Sequence, residues 1–313
     1  MFWNNVKIAI RNLKKHKGFA AINILGLAIG LVVFVFGGLL VEYEQTHDVF
    51  FENADRTYTI GVVARPETEL PVSVMNAVQS AMGPIIETEF PDVEAVARTI
   101  FWEYLVTKGA DGFYEQLMFA DPELLEIFDF QYLHGTDNAL DNPSGLLVSE
   151  AAAIKYFGRT DVVGETLTLD NEHDFTISAV MADVPQNSHF KSSPIIDTAP
   201  DIIVPLTAAV TLRDFDMAGN WRNLSLQDMT YVLLPETLDQ AWLQAQLDGV
   251  YDRLLPEVRK EYMAGFTTYP LDQANLAVWD SFGLPLIKVI RLLSFLVLVV
   301  ACVNYTNLAT AQS

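Results

Sequence analysis

Two stretches of this chain are long, apolar and free of charge, and between them hydrophobic positions recur at short periods. From Phe19 to Val41 run 23 residues without a charge. As an α-helix this run is about 34 Å long, enough to cross a hydrocarbon core of about 30 Å. Its one strongly polar residue, Asn23, lies near the basic end. A cleaved signal peptide would have a shorter apolar core, about 7–15 residues, followed by a small-residue cleavage site. Leu39-Leu40-Val41-Glu42 offers no such site. The second stretch, Leu292–Val303, is apolar for 12 residues. Its helical pattern continues through Asn304, Tyr305, Thr306, Asn307 and Leu308 to Ala311, and Pro285 stands where a helix would start. The pattern predicts membrane-spanning helices over 19–41 and 285–311. Two asparagines inside the second would need partners in lipid, such as a neighbouring helix.

The intervening residues, 42–284, mix both periods. Arg56–Ala64 reads as a strand, and Met75–Phe90 has helical spacing interrupted by Gly83-Pro84. Val93–Thr107 and Gly112–Ala120 read as strands of one hairpin across Lys108-Gly109-Ala110-Asp111. Asp121-Pro122 is a helix-opening pair with Asp as cap. Leu146–Val148 is a short strand, after which Ser149 caps a helix that stops at Gly158. Glu165–Asp170 and Asp174–Met181 form a second hairpin with Asn171-Glu172-His173 at its turn. Residues 185–205, with four prolines, read as irregular connection. Met229–Leu234 and Gly265–Pro270 are strands around a helix over Leu238–Leu255. Interleaved strands and helices predict an α+β domain between the two spans.

Charge sharpens this division. All 40 Asp and Glu residues lie between Glu42 and Asp280, together with 12 Lys and Arg, a net −28 (12 − 40). Residues 1–41 carry five basic residues and 281–313 carry two, with no acid in either. Basic flanking loops stay cytoplasmic, so Met1–Gly18 is expected inside and the acidic domain outside. Lys288 and Arg291 then fall at the outer end of the second helix, where long side chains snorkel. Over residues 1–18, Phe2, Val6, Ala9, Ile10 and Leu13 share a face opposite Lys7, Arg11, Lys14 and Lys15. This predicts an interfacial amphipathic helix on an anionic leaflet. The acidic domain argues against nucleic acid as a partner.

Candidate chemistry is sparse. No phosphate-binding loop, zinc-protease helix, paired-cysteine motif or nucleophile elbow occurs, so no catalytic, cofactor or metal residue is assigned and an enzyme is not expected. His47-Asp48 and Glu172-His173-Asp174 are the nearest approaches to ligand pairs and read as solvated turns. Asn223-Leu224-Ser225 fits a glycosylation sequon, which has meaning only in a eukaryotic secretory setting. Cys302 is the single cysteine, so no intrachain disulfide forms; it reads as small packing filler. Within the first span, Gly26 and Gly30 form a G-x-x-x-G, a candidate face for close helix packing.

The opening KIAIRNLKKHKGFAAINILGLAIGL resembles the N-terminus of MacB-like and FtsX-like ABC-transporter permeases. HDVFFENADRTY, DPELLEIFDF, LLVSEAAAIKYFG and VVGETLTLDNEHDFTISAVMADVPQNSHF are similar, in order and spacing, to the family's periplasmic core domain. LVLVVACVNYTNLATAQS looks like the start of its second membrane helix. The resemblance covers essentially the whole chain. It implies a periplasmic domain with a porter-like part, built from non-contiguous segments, and an inserted second part near 121–220. It further implies a bacterial inner-membrane protein that works beside a separate ATP-binding ATPase subunit, as a dimer, with a periplasmic adaptor in some members. Gly26 and Gly30 also suit a dimer. Family permeases continue past the second helix, so the resemblance makes this chain an N-terminal half. The sensory half of a two-span receptor shares the helix–domain–helix topology, but not the ordered motifs.

Overall fold

The computed structural model describes Trp3, Arg11 and residues 17–67, 74–191, 200–213, 221, 225 and 228–311. The amphipathic helix expected over Met1–Gly18 lies outside the described residues except at Trp3, Arg11, Lys17 and Gly18. Asn223 and Leu224 of the sequon lie outside them too. The chain divides into two compact units: residues 1–45 with 284–313, and residues 46–283.

The first unit is a pair of long helices, α1 (Lys17–Gln45) and, at the far end of the chain, Leu286–Ala311. Both are long and apolar enough to cross a membrane, over Ala21–Gln45 and Leu286–Asn304. They pack antiparallel: Gly26 lies against Asn304, Gly30 against Ala301 and Gly37 against Ser294. The buried positions are Asn23, Gly30, Gly37 and Val41 on one helix and Ser294 and Ala301 on the other. A seam that recurs every seventh residue is the signature of shallow left-handed crossing. Away from the seam, large side chains such as Ile22, Leu25, Phe36, Leu292 and Phe295 are exposed. At the domain end, the Arg291 guanidinium donates to Gln45 Oε1 (2.9 Å).

The second unit is built on one sheet. Its strands are β1 (Thr57–Ala64), β2 (Val74–Met75), β3 (Ala95–Lys108), β4 (Asp111–Ala120), β5 (Tyr132–His134), β6 (Gly145–Ser149), β7 (Thr166–Leu169), β8 (His173–Met181), β9 (Ile202–Pro205), β10 (Met229–Leu233) and β11 (Met263–Pro270). The order is β11-β1-β10-β3-β4-β9-β6-β8-β5, with β2 on β1 and β7 bridging β3 and β8. Strands β11, β1, β10 and β3 pair antiparallel. Helices α2 (Met82–Glu89) and α3 (Gln240–Leu254) cover one face of these four. In chain order this is β1-α2-β3 and β10-α3-β11, two halves of a split β-α-β arrangement contributed by distant segments. Between the halves, β3, β4, β9, β6, β8 and β7 close into a ring.

Strand β3 is shared by both parts, and the period of two explains how. Val96 joins the core under α2 and α3, with Ile60, Val62, Met82, Ile86 and Leu247. Further along the same face, Ile100, Tyr104 and Val106 join the ring's core with Leu117, Phe119, Leu167 and Ile177. On the opposite face, Ala95, Ala97 and Phe101 line a third core with Phe51, Phe128, Phe130, Phe190 and Tyr231. The ring therefore takes in the far half of β3 together with β4, β6, β7, β8 and β9.

Several expectations are met closely. Gly109, with φ +63°, and Ala110 form the two-residue turn of the β3–β4 hairpin. Ser149 Oγ accepts from the Ala152 N–H (3.0 Å), and Gly158, at φ +68°, ends that helix (Glu150–Phe157). Asp170 and Asn171, both at positive φ, make the β7–β8 turn.

Others are corrected. Gly83-Pro84 opens α2 rather than interrupting a longer helix; proline fits the first turn, where no N–H is needed. Residues 76–81 before it are irregular and buried. Asp121 caps no helix, because its carboxylate is taken by Arg98. The 185–205 connection contains a fully buried strand, β9, parallel to β4 and antiparallel to β6. Helix Ala274–Ser281 was not foreseen. His47-Asp48 is not a solvated turn: both residues are wholly buried.

Candidate functional site

The one site named from sequence, Gly26 and Gly30, lies in the helix seam. A Cβ on Gly30 would stand 2.4 Å from Ala301 Cβ, and one on Gly26 would stand 3.2 Å from Asn304 Nδ2. Gly37, not singled out from sequence, is as tight: its Cβ would fall 1.9 Å from Ser294 Oγ. The missing side chains let the two backbones approach, which is the main attraction open to helices in lipid. The partner on this face is the chain's own second helix.

In the domain, the densest polar arrangement centres on Asp48. The chain leaves α1 at Gln45, and Thr46, His47 and Asp48 fold inward at once. Asp48 sits at φ +60°, a left-handed conformation that short polar side chains tolerate best. Its carboxylate accepts from Ser188 Oγ–H (2.6 Å) and from the His189 backbone N–H (3.0 Å). His189 Nδ1 lies 2.9 Å from the same carboxylate. The backbones clasp alongside: the Asp48 N–H donates to the Asn187 carbonyl, and Asn187 Nδ2 donates to the Thr46 carbonyl, both at 3.0 Å. A carboxylate buried this deeply is tolerable only with such donors.

The far side of His189 extends the network. Its Nε2 is 2.8 Å from Tyr231 Oη, a hydrogen bond whose donor depends on the imidazole tautomer. Burial pushes the Tyr231 phenol well above its ordinary range, with the Asp48 charge adding to the effect. Around this chain lies a cage of rings: Phe51, Phe128, Phe190 and Tyr231 meet at centroid distances of 4.8–6.3 Å. Phe51 comes three residues after Asp48, and Leu271, at the exit of β11, joins the same core. The first and last segments of the domain are thus anchored in one cluster.

Asp, His and Ser together invite comparison with a hydrolase triad, and the geometry rejects it. Ser188 bonds the aspartate rather than the imidazole, and Nε2 faces Tyr231. Ser188, Asp48 and Tyr231 are each no more than 1% exposed, so no substrate reaches them. What the arrangement can do is hold two segments together.

A second tie lies on the other face of β3. Arg98 binds Asp121 in a fork, Nε to Oδ2 at 2.7 Å and Nη2 to Oδ1 at 2.9 Å, and its Nη1 reaches the Ser80 carbonyl at 3.1 Å. It fixes β3, the start of the connection after β4 and the segment before α2. Sequence reasoning missed both ties, since each partner lies far away along the chain. Among the described residues no group of His, Cys, Asp and Glu could hold a metal ion.

Comparison with known proteins fits this architecture. No curated protein matches the chain. A domain of a protein described as a permease from Porphyromonas gingivalis aligns at 24% identity over 70% of this chain and 91% of that one, with a TM-score of 0.56. The periplasmic region of MacB from Actinobacillus actinomycetemcomitans aligns at 10% identity over 72% and 93%, with a TM-score of 0.50. At these identities the likeness is one of fold. The family profile of the MacB-like periplasmic core domain matches residues 20–250, more than half of the sequence. With two membrane-length helices around a split, ring-bearing domain of this fold, the chain belongs to the MacB-like periplasmic core domain family of ABC-type transporter permeases.

Proposed function

We propose that this chain is the N-terminal half of a permease subunit that couples ATP hydrolysis on a partner ATPase to movement of its external domain. The observation that carries the reading is the Asp48 clasp. Immediately after the first span, the chain is locked by a buried carboxylate to a segment 140 positions away. Displacement of the first span would then load the domain's aromatic core rather than a slack linker. The membrane is the bacterial inner membrane in this proposal, with the domain periplasmic. The functional unit is a dimer, on family grounds; the glycine seam does not argue for it, since Gly26 and Gly30 face the chain's own second helix. A periplasmic adaptor is a further proposed partner.

The test is co-expression of the whole permease that contains this half with the ATPase encoded beside it, purification in detergent and reconstitution into nanodiscs. ATPase and permease chains should co-elute in equal amounts. ATP should shift the distance between spin labels on two copies of the domain, and Asp48→Ala should blunt that shift while leaving ATP hydrolysis running. Failure to co-elute with any ATPase overturns the proposal.

A further inference from the structure

The β3–β4 hairpin carries an open strand edge. Strand β4 pairs with β3 along its whole length, but among the described residues β9 covers its other edge only at Met118–Ala120. Side matters here, because alternate residues point their backbone groups to opposite edges. Leu105, opposite Tyr114, turns its N–H and C=O away from β4 to meet Asp170. Its opposite number must likewise turn its own groups away from β3. By the same alternation, Gly112, Tyr114 and Gln116 present N–H and C=O outward, and no hydrogen bond among the described residues uses them.

The side chains along this edge are also unusual. Phe113 is 45% and Tyr114 72% exposed, on opposite faces of the strand. Phe113 meets Tyr156 edge to face and lies under Lys155. Natural edges are usually blunted by charge, bulge or cover, and this one has a regular register to its tip.

Charge selects the occupant. Three basic residues around the hairpin are matched by the chain's own acids, Lys155 by Glu115, and Lys108 and Arg159 both by Glu165, while Arg213 is turned onto Trp102, Tyr104 and the Glu103 carbonyl. The carboxylates of Glu103 and Asp111 form no ion pair among the described residues. Asp111 stands at the hairpin tip, and Glu103 stands one strand inward on β3, opposite Gln116 at the other end of the open stretch. A second copy of the same edge would bring like charges together, in a domain already at −28 (12 − 40).

We infer that the Gly112–Gln116 edge of β4 is a docking site for an extended, lysine- or arginine-bearing segment of another protein, added as a further strand beside β4. Backbone pairing supplies affinity, Phe113, Tyr114 and Tyr156 supply apolar contact, and Glu103 and Asp111 select basic side chains.

The probe is a fluorescent, end-capped peptide of alternating lysine and valine, titrated into the full chain in detergent. A peptide of alternating glutamate and valine serves as control. The lysine peptide should bind, more weakly at high salt, and the glutamate peptide should not. Tyr114→Pro removes one outward N–H without touching the β3 ladder and should weaken binding by about tenfold or more. Tyr114→Ala keeps that N–H and should weaken it less. Hydrogen exchange on the unmodified chain gives a readout independent of folding defects: the peptide should slow the amides of Gly112, Tyr114 and Gln116. Absence of binding, equal affinity for Tyr114→Pro, preference for the glutamate peptide or unchanged exchange at these amides would each overturn the inference. So would wild-type self-association that Tyr114→Pro abolishes, since the edge would then belong to a second copy.

Discussion

Ser188 Oγ lies 2.6 Å from the Asp48 carboxylate, although 140 positions separate the two residues. The contact closes a loop that includes β1 to β8, and it does so inside the protein. Loss of Ser188 as donor leaves a buried carboxylate one hydrogen bond short, which costs about 1–3 kcal/mol. Ser188→Ala should therefore lower the unfolding midpoint of the detergent-solubilised chain, followed by tryptophan fluorescence in urea. Asp48→Ala should cost more, because it strands both Ser188 and His189 and puts alanine at positive φ. Asp48→Asn, which tolerates that φ and keeps one acceptor oxygen, should fall between wild type and alanine. Equal midpoints for all three variants would show that the clasp contributes nothing to stability.

The helix seam makes a sharper prediction, because it includes its own rescue. Gly30→Ala would place a Cβ 2.4 Å from Ala301 Cβ, and neither group can rotate away. The helices must separate, at about 1–3 kcal/mol. Ala301→Gly removes the obstructing methyl. The double variant should regain most of the thermal stability that Gly30→Ala loses, a coupling that double-mutant analysis of melting temperatures reads directly. Additive losses would mean that the seam is not closed at this layer.

How much of this was legible beforehand depends on the range of the cause. The spans were legible because length and absence of charge are local properties of Phe19–Val41 and Leu292–Ala311. The β3–β4 and β7–β8 hairpins were legible for the same reason: Gly109 and Asp170-Asn171 carry the turns in their own backbones. Strand β9 was not, because Ile202–Pro205 is four residues between prolines, and only burial between β4 and β6 makes it a strand. The ring closes through contacts of β7 with β3 that no local period announces. Asp48 and His47 looked solvated because each is polar and sits beside a turn; their burial is decided by Ser188, His189 and Tyr231. Gly83 reads as a helix breaker until Arg98 is placed beside it, where a Cβ would meet the Arg98 side chain at 2.6 Å.

That arginine supports a third prediction. Arg98 and Asp121 are each 11% exposed in their side chains and joined by two hydrogen bonds. Removing one partner of such a pair leaves the other charge desolvated, typically at 3–5 kcal/mol, about the same whichever is removed. Asp121→Leu and Arg98→Met should each be severely destabilising in the urea assay. The double variant removes both charges and should lose much less than the sum of the two. If the losses add instead, the pair is not coupled, and the packing of Arg98 against Gly83 carries its role.

Asp228 supplies the pH dependence. It is 9% exposed, directly precedes β10, and its carboxylate accepts from the Ser225 N–H at 2.9 Å. Its carbonyl meanwhile receives the Val78 N–H at 3.2 Å. Burial raises its pKa from 3.8 to about 6, and the Ser225 hydrogen bond only partly opposes this. The sign follows from which state holds the proton. Between the unfolded value and about 6 the folded chain keeps a proton that the unfolded chain has released, so stability falls as pH rises across this window. Above about 6 both states are ionised and the penalty stays constant, on the order of 2–3 kcal/mol. Asp228→Asn cannot ionise and should stabilise the chain at neutral pH, with the gain shrinking toward zero as pH drops to about 4. Unfolding midpoints of the two proteins, measured in parallel from pH 4 to pH 8, check this. A gain independent of pH would assign the effect to packing or hydrogen bonding of the new amide, not to relief of a buried charge.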